Sequence, residues 1–301
     1  MLMLFVASSF ILSSCDKDDE DTPEPMPQEQ SIVEIASSNP DFSILVEALT
    51  KADLVNTINS SNNLTVFAPT NSAFQALFTT LGVSGISDIP KETLTPVLLY
   101  HVLGAKVPAA SVTTGYAYTL SPGPDAKTLA IYLNTSSGVM INNSAKVTTA
   151  DIMATNGVIH VIDKVLLPNS VVDIALNNGS FSILVEALVK ADLVTALSGT
   201  GPFTVFAPTN DAFNALFATL GVSGIADLTK EQLSPILLYH VVAGNVLSTE
   251  LSNGNVLTLN GGTIAIDVTA GVKLNGNTSV ILADVQGTNG VVHAIDKVLL
   301  P

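Results

Sequence analysis

The sequence predicts an α+β fold that is written twice along one chain. Three observations carry this. Long segments recur in order at a nearly constant offset. Each copy begins with apolar residues at helical spacing. Each copy then ends in short runs rich in Val, Thr, Ile, Asn and Gly, which read as strands and turns. Helices followed by strands, with one early strand joining the later sheet, is an α+β arrangement.

The repeat is explicit. Phe42-Ser-Ile-Leu-Val-Glu-Ala-Leu49 recurs at 181–188, Thr65-Val-Phe-Ala-Pro-Thr-Asn71 at 204–210, and Tyr100-His101 as Tyr239-His240, all offset by 139. Later, Thr155-Asn-Gly-Val158 recurs at 288–291 and Ile162-Asp-Lys-Val-Leu-Leu-Pro168 at 295–301, offset by 133. The first copy therefore carries six more residues, which the spacing places near Ser121-Pro122-Gly123-Pro124 as a longer loop. Copies this long are domains, and the boundary falls after Pro168, giving units 31–168 and 169–301.

Within each copy the elements follow in order. Phe42, Leu45, Val46, Leu49, Leu54, Val55 and Ile58 sit broadly at helical spacing, with Asp41 and its counterpart Ser180 as N-caps. Thr65-Val-Phe-Ala68 reads as a buried strand that Pro69 ends. Asn71 is placed to cap a second helix carrying Phe74, Leu77, Phe78 and Leu81, which Gly82 closes. A third helical region spans Lys91 to Val102, and Pro96 and Pro235 are expected to break or kink it. In the second copy Thr229 and Gln232 have capping-box spacing. Asn156-Gly157 and Asn289-Gly290 read as hairpin turns.

Three boxes in both copies resemble the fasciclin (FAS1) domain family. Thr-Val-Phe-Ala-Pro-Thr-Asn-x-Ala-Phe, at 65–74 and 204–213, is similar to its first box. Tyr-His after a Leu-rich helix, at 100–101 and 239–240, is similar to its central motif. Asn-Gly-x-x-His-x-Ile-Asp-x-Val-Leu, at 156–166 and 289–299, is similar to its second box. The resemblance covers nearly all of 31–301. It implies two tandem FAS1 domains, each a β-wedge or sandwich of about seven strands flanked by helices, used in extracellular adhesion and in matrix or glycan interaction. It also implies that the Tyr-His segment matters for receptor binding.

All four histidines, His101, His160, His240 and His293, lie in these boxes, with Asp163 and Asp296 nearby in sequence. That invites an acid–base or metal reading. The neighbours argue otherwise. In Val158-Ile-His-Val-Ile162 both faces of the strand are apolar, so His160 points into a packed interior and uses its ring nitrogens on buried partners. His101 follows Leu-Leu-Tyr and reads the same way. Gly82-Val-Ser-Gly85 and Gly221-Val-Ser-Gly224 only approach a nucleophile elbow and follow a helix where an elbow follows a strand. No phosphate loop or dinucleotide fingerprint occurs. The expectation is no catalytic residue, no metal and no cofactor.

The N-terminus reads as an address. Leu2 to Leu12 is a short apolar stretch of the signal-peptide kind, and Leu12-Ser13-Ser14-Cys15 resembles the lipobox of bacterial lipoproteins. The resemblance implies cleavage after residue 14 and lipidation of Cys15, the only cysteine, so that acyl chains hold the protein to a membrane. Lys17 followed by Asp18, Asp19 and Glu20 resembles the surface-export signal of Bacteroidota lipoproteins, which implies display on the outer face of the bacterial outer membrane. Residues 15–30 form an acidic, Pro-rich tether with seven acids against one Lys.

Charge bounds the partners. The net charge is −15 and the chain has no Arg, which excludes nucleic acid and disfavours heparin-like polyanions. A single cysteine excludes an intramolecular disulfide and a thiolate-rich zinc site. Three functions compete: a surface adhesion or binding module with an extracellular protein or polysaccharide ligand, a structural envelope spacer, and a hydrolase using His and Asp.

Overall fold

The computed structural model describes residues 29–301. The expected signal peptide, Cys15, Lys17, Asp18, Asp19, Glu20 and nearly all of the expected tether lie outside the described residues.

The first domain opens on α1 (Ile32–Ser38), α2 (Ser43–Lys51) and α3 (Val55–Ser60). Then come β1 (Leu64–Pro69), α4 (Asn71–Leu81), α5 (Lys91–Tyr100) and β2 (Val102–Leu103). It closes with β3 (Gly115–Pro122), β4 (Thr128–Asn134), β5 (Met140–Ile141), β6 (Ala145–Ala154) and β7 (Gly157–Ile162). The second domain repeats this order as α6 (Val171–Leu176), α7 (Ser182–Lys190), α8 (Val194–Leu197), β8 (Phe203–Pro208), α9 (Asn210–Leu220), α10 (Lys230–Tyr239) and β9 (Val241–Ala243). Its last strands are β10 (Gly254–Leu257), β11 (Thr263–Asp267), β12 (Lys273–Leu274), β13 (Thr278–Gly287) and β14 (Gly290–Ile295). Each domain thus holds seven strands with helices packed outside them, as the α+β reading expects.

The early strand does join the late sheet: β1 pairs in parallel with β7, and β8 with β14. The other neighbours are antiparallel. A single pair closes the first sheet into a barrel, Leu103 against Thr119. The same pair recurs in the second domain as an isolated bridge, Val242 with Thr258. Register shifts in β6 and β13 mark bulges that bend these long strands.

Side-chain alternation divides each domain into two cores. Leu64, Val66 and Ala68 of β1, with Ile159 and Val161 of β7, face the helices and pack with Phe42, Leu45, Phe74 and Leu98. Phe67 and Ile162 face the barrel interior with Tyr100, Ile131 and Ile141. The second domain repeats both cores, with Phe206, Tyr239, Ile264 and Ile295 inside the sheet. Burial on both faces is why β1 and β7 read as largely apolar runs, interrupted only by Thr65 and His160.

Several local expectations are corrected. The run 42–58 is two helices, α2 and α3, separated by a turn in which Asp53 has a φ of 56°. Asp41 and Ser180 cap nothing: Asn39 and Asn178 cap a short 3-10 turn by accepting from Asp41 N and Ser180 N at 3.0 Å. Asn71 is not the cap of α4, because Thr70 fills that place. Asn71 instead reaches back to α2, where its Oδ1 accepts from Ile44 N and its Nδ2 donates to Pro40 O and Ser43 Oγ. Asn210 does the same for α7. A residue from a distant segment thus supplies a cap that local sequence reasoning assigns to a neighbour.

Pro96 and Pro235 do not break their helices; α5 and α10 run through them and end at Tyr100 and Tyr239, and Val102 belongs to a strand. Gly82 ends α4 in the left-handed region, and Thr229 with Gln232 forms the expected capping box. The hairpin turn is Thr155-Asn156, one residue earlier than expected, and Gly157 is the first residue of β7. That glycine answers close backbone approach, since a Cβ there would lie 2.2 Å from Leu64 O, and one on Gly290 2.0 Å from Phe203 O.

Candidate functional site

The repeated boxes converge on polar ties inside each domain. Thr65 and His160 sit on neighbouring strands and both face the barrel interior. Thr65 Oγ1 donates to Ala105 O at 2.6 Å and accepts from Val107 N at 2.8 Å. His160 Nε2 donates to Val107 O at 3.0 Å, and its Nδ1 accepts from Asp151 N at 3.3 Å. Together they fasten the 105–107 segment of the crossing loop to the sheet. Asp151 occupies the β6 bulge with a φ of 60°, a left-handed conformation that aims its N–H inward.

The second domain repeats this tie. Thr204 Oγ1 bonds Gly244 O and Val246 N, His293 Nε2 donates to Val246 O at 2.9 Å, and its Nδ1 accepts from Asp284 N at 3.1 Å. Asp284 carries a φ of 65°. Its carboxylate lies 3.9 Å from His293 Nδ1, a separation that reads as an ion pair only for a protonated ring. Burial holds the His293 imidazole below its usual range, and Nδ1 already accepts a backbone hydrogen, so this ring is neutral.

His101 and His240 use the opposite tautomer. His101 Nδ1 donates to Val97 O at 2.7 Å and Nε2 accepts from Leu166 N at 2.9 Å. His240 Nδ1 donates to Ile236 O at 2.8 Å and Nε2 accepts from Leu299 N at 2.9 Å. Each ring ties the end of a helix to the segment leaving the last strand. Burial pushes both imidazoles down to about 4. The tautomers follow from the partners: a carbonyl on one nitrogen requires N–H there, and an amide on the other requires the lone pair.

The other boxed residues are also engaged. Tyr100 is fully buried and donates to Ala130 O at 2.8 Å while accepting from Asn142 Nδ2 at 3.2 Å. Burial pushes its hydroxyl up. Tyr239 bonds Thr263 O and Asn275 in the same way. Asp163 and Asp296 do not approach the histidines as hydrogen-bond partners; each, just past the end of β7 or β14, accepts from a backbone N–H at the start of the paired strand β6 or β13, Lys146 N or Ser279 N at 2.7 Å. Asn156, 5% exposed, accepts from Ile32 N and donates to Ile58 O and Ser61 O. Asn289 repeats this with Val171, Leu197 and Gly199.

Sequence reasoning missed Thr65, Asp151, Asn156 and their counterparts as tying residues. The signal for Thr65 and Asn156 was their place inside the repeated boxes. Asp151 and Asp284 also recur at offset 133, but a bulge has no composition of its own.

The chemistry available at these rings is limited. All eight imidazole nitrogens are committed to backbone groups, and the rings lie between 0 and 2% exposed. Neither a free lone pair nor an accessible proton remains for acid–base work in this conformation. Among the described residues, no three His, Cys, Asp or Glu side chains gather as a metal site, and no helix is long and apolar enough to cross a membrane.

Comparison with known proteins follows the repeat. A model of the Fasciclin domain matches residues 40–168 and 179–301. Protein sll1483 of Synechocystis sp. is 49% identical over 133 residues, covering 44% of this chain and 73% of that protein. Human periostin is 31% identical over 249 residues, covering 81% of this chain but only 29% of periostin. The structure of a FAS1 domain pair from the insect cell adhesion molecule fasciclin I superposes with a TM-score of 0.53, covering 88% of this chain and 98% of that one. At 20% identity that likeness concerns the fold alone.

Proposed function

This chain belongs to the fasciclin domain family, and from that premise we propose that it is a non-catalytic adhesion module displayed on a bacterial cell surface. The observation that carries the reading is the commitment of every histidine nitrogen to a buried backbone partner. The residues shared by the two domains therefore build the scaffold, and binding falls to the surfaces that the scaffold presents. Membership of the fasciclin domain family, whose resemblance implies extracellular adhesion, supports the adhesive role. The anchor in this reading is diacylglycerol on Cys15, with Lys17, Asp18, Asp19 and Glu20 directing export to the outer face of the outer membrane. The partner is an extracellular protein or polysaccharide. The absence of Arg and the net charge of −15 support exclusion of nucleic acid.

The test is cell-based. Cells carrying the protein are expected to adhere to one or more members of a panel of matrix proteins and polysaccharides, and cells lacking it are not. Cys15→Ala is expected to release the protein from membranes. Joint replacement of Asp18, Asp19 and Glu20 by Ala is expected to shield it from external protease in intact cells. Membrane partitioning unchanged by Cys15→Ala would overturn the anchor, and an empty panel would overturn the adhesive role.

A further inference from the structure

The two domains meet at a cleft that neither could form alone. It has a volume of about 190 Å³ and is lined by Asn142 and Ser144 of the β5–β6 turn, Leu167 and Asn169 of the linker, and Asn177 at the end of α6. Asn143 Nδ2 donates to Asn177 O at 2.6 Å and so joins the turn to the second domain. Asn142 and Asn143 hold left-handed φ values of 50° and 45°, which fixes the orientation of this wall.

The walls are uncharged and divided between polar side chains and the apolar Ala145, Val165, Leu166 and Leu167. Among the described residues that line it, none is ionisable. Lys164 lies near, its Nζ donating weakly to Ser144 Oγ at 3.5 Å. Asn142 has its own partners, Tyr132 N and Tyr100 Oη. Asn169 does not. It is 8% exposed, its carbonyl accepts from Thr288 N, and its carboxamide meets no hydrogen-bond partner among the described residues. Among the described residues Ser121 Oγ is the one buried side-chain polar atom without a partner, so the Asn169 carboxamide is open to the cleft, where its donors and acceptor are available to a ligand. The Asn177 carboxamide is likewise unengaged among the described residues.

We propose that this cleft binds one neutral sugar ring, such as the terminal unit of a polysaccharide. Two carboxamides and a serine hydroxyl supply donors and acceptors side by side, which is what a ring of hydroxyls, each both donor and acceptor, requires. Leu167, 49% exposed, offers an apolar surface to the C–H face of the ring. The volume lies below the ~300–1,000 Å³ of pockets for drug-sized ligands, which suits a single ring. An anionic sugar would be desolvated against walls with no cation among them. The second domain repeats the turn as Asn275, Gly276 and Asn277. The inference deepens the surface-binding reading by giving its ligand a class, and it rests on that reading only for where the sugar comes from.

Direct binding to the full chain separates the two. Saturation-transfer NMR and calorimetry would be run with methyl glycosides of neutral hexoses, pentoses and deoxyhexoses and with the matching uronates. At least one neutral glycoside is expected to saturate a single site. Asn169→Ala and Asn177→Ala are each expected to weaken it at least tenfold with the melting temperature unchanged. Should Asn169→Ala unfold the chain, Asn177→Ala and Leu167→Ala, at more exposed positions, carry the test. No saturable neutral sugar, affinity surviving the substitutions, or a uronate bound as tightly as its neutral counterpart would overturn the proposal. Sugar binding without cell adhesion would leave the cleft in place and remove the adhesive role.

Discussion

In the first domain, β3 and β4 are joined through a 3-10 turn at Pro124–Ala126; in the second, β10 and β11 are joined by the tight Thr258–Gly262 turn. The longer hairpin reaches across to the second domain. Lys127 pairs with Glu250 at 3.1 Å, and a Cβ on Gly123 would lie 3.3 Å from Gly287 O. Along β3, the Tyr116 ring packs at a tilt against Tyr132, centroids 5.1 Å apart, and its hydroxyl accepts from Asn178 Nδ2, while Tyr118 Oη donates to Asp284 O. Burial pushes the Tyr116 hydroxyl up to about 12. The counterparts of these tyrosines in the second domain are Asn255 and Leu257, both exposed. Next to them Thr119 and Thr258 remain alike, each buried and bonded to a carbonyl of the following strand or turn. Residues facing a shared interior are kept between copies because their neighbours are the same. Residues on the outer edge follow whatever lies beyond it.

Asn143 and Gly276 make the same point at one position. Both turns need a left-handed residue there, and Gly276 meets the need without steric cost. Asn143 accepts the less favourable residue type and gains the bond to Asn177 O across the domain junction.

If the interiors are equivalent, matched substitutions should cost each domain the same. The largest effect is expected for His160→Ala and His293→Ala, which orphan a carbonyl and an amide and leave a cavity. Each should cost about 3 kcal/mol or more. Calorimetry with hydrogen exchange should place each loss in the substituted domain alone; a single substitution that destabilises both domains, or unequal losses from the matched pair, would break the comparison.

Acid comes next. His101 and His240 are neutral in the fold down to about pH 4, against 6.5 for the free side chain. As the pH falls through 6.5, the unfolded chain takes up protons that the fold refuses, so stability is present above this window and lost within it. The loss is of order 3 kcal/mol per histidine by pH 4. Denaturant titrations between pH 7 and 4 should show it, and His101→Gln should flatten the first domain's share. A flat profile in the parent would mean that these rings accept protons while buried.

Asn156→Ala and Asn289→Ala should cost about 2 kcal/mol each, since each leaves buried backbone groups of the first and third helices of its domain without partners. Protection against exchange should fall first at Ile32 and at Val171. The smallest effect sharpens the contrast at the edge. Lys127→Ala removes an exposed ion pair and should cost no more than about 1 kcal/mol, diminishing with salt. Leu257→Ala in the second domain should change stability less than Tyr118→Ala in the first. Equal responses would mean that the domain contact contributes nothing to stability.

Much of this was legible in the chain. Two offsets located both domains and the longer hairpin, apolar runs marked β1 and β7, and apolar neighbours placed His160 inside. The capping of α2 was not legible, because Asn71 lies 27 residues from the amide it serves. Nor was the persistence of α5 through Pro96. Packing of Leu94, Leu98 and Tyr100 into the cores retains a helix that propensity alone would interrupt.

By itself the sequence determined what periodicity and repetition encode: two units, helices before strands, histidines set among apolar neighbours, and an acidic chain without arginine. Only the tertiary structure decided which tautomer each histidine adopts, which distant carbonyl or amide it ties, and which uncharged walls meet between the domains. The reason is physical. Burial patterns repeat along a chain within a few residues, whereas a hydrogen bond to a group 53 or 65 residues away exists only after the strands have paired and the loop between has closed.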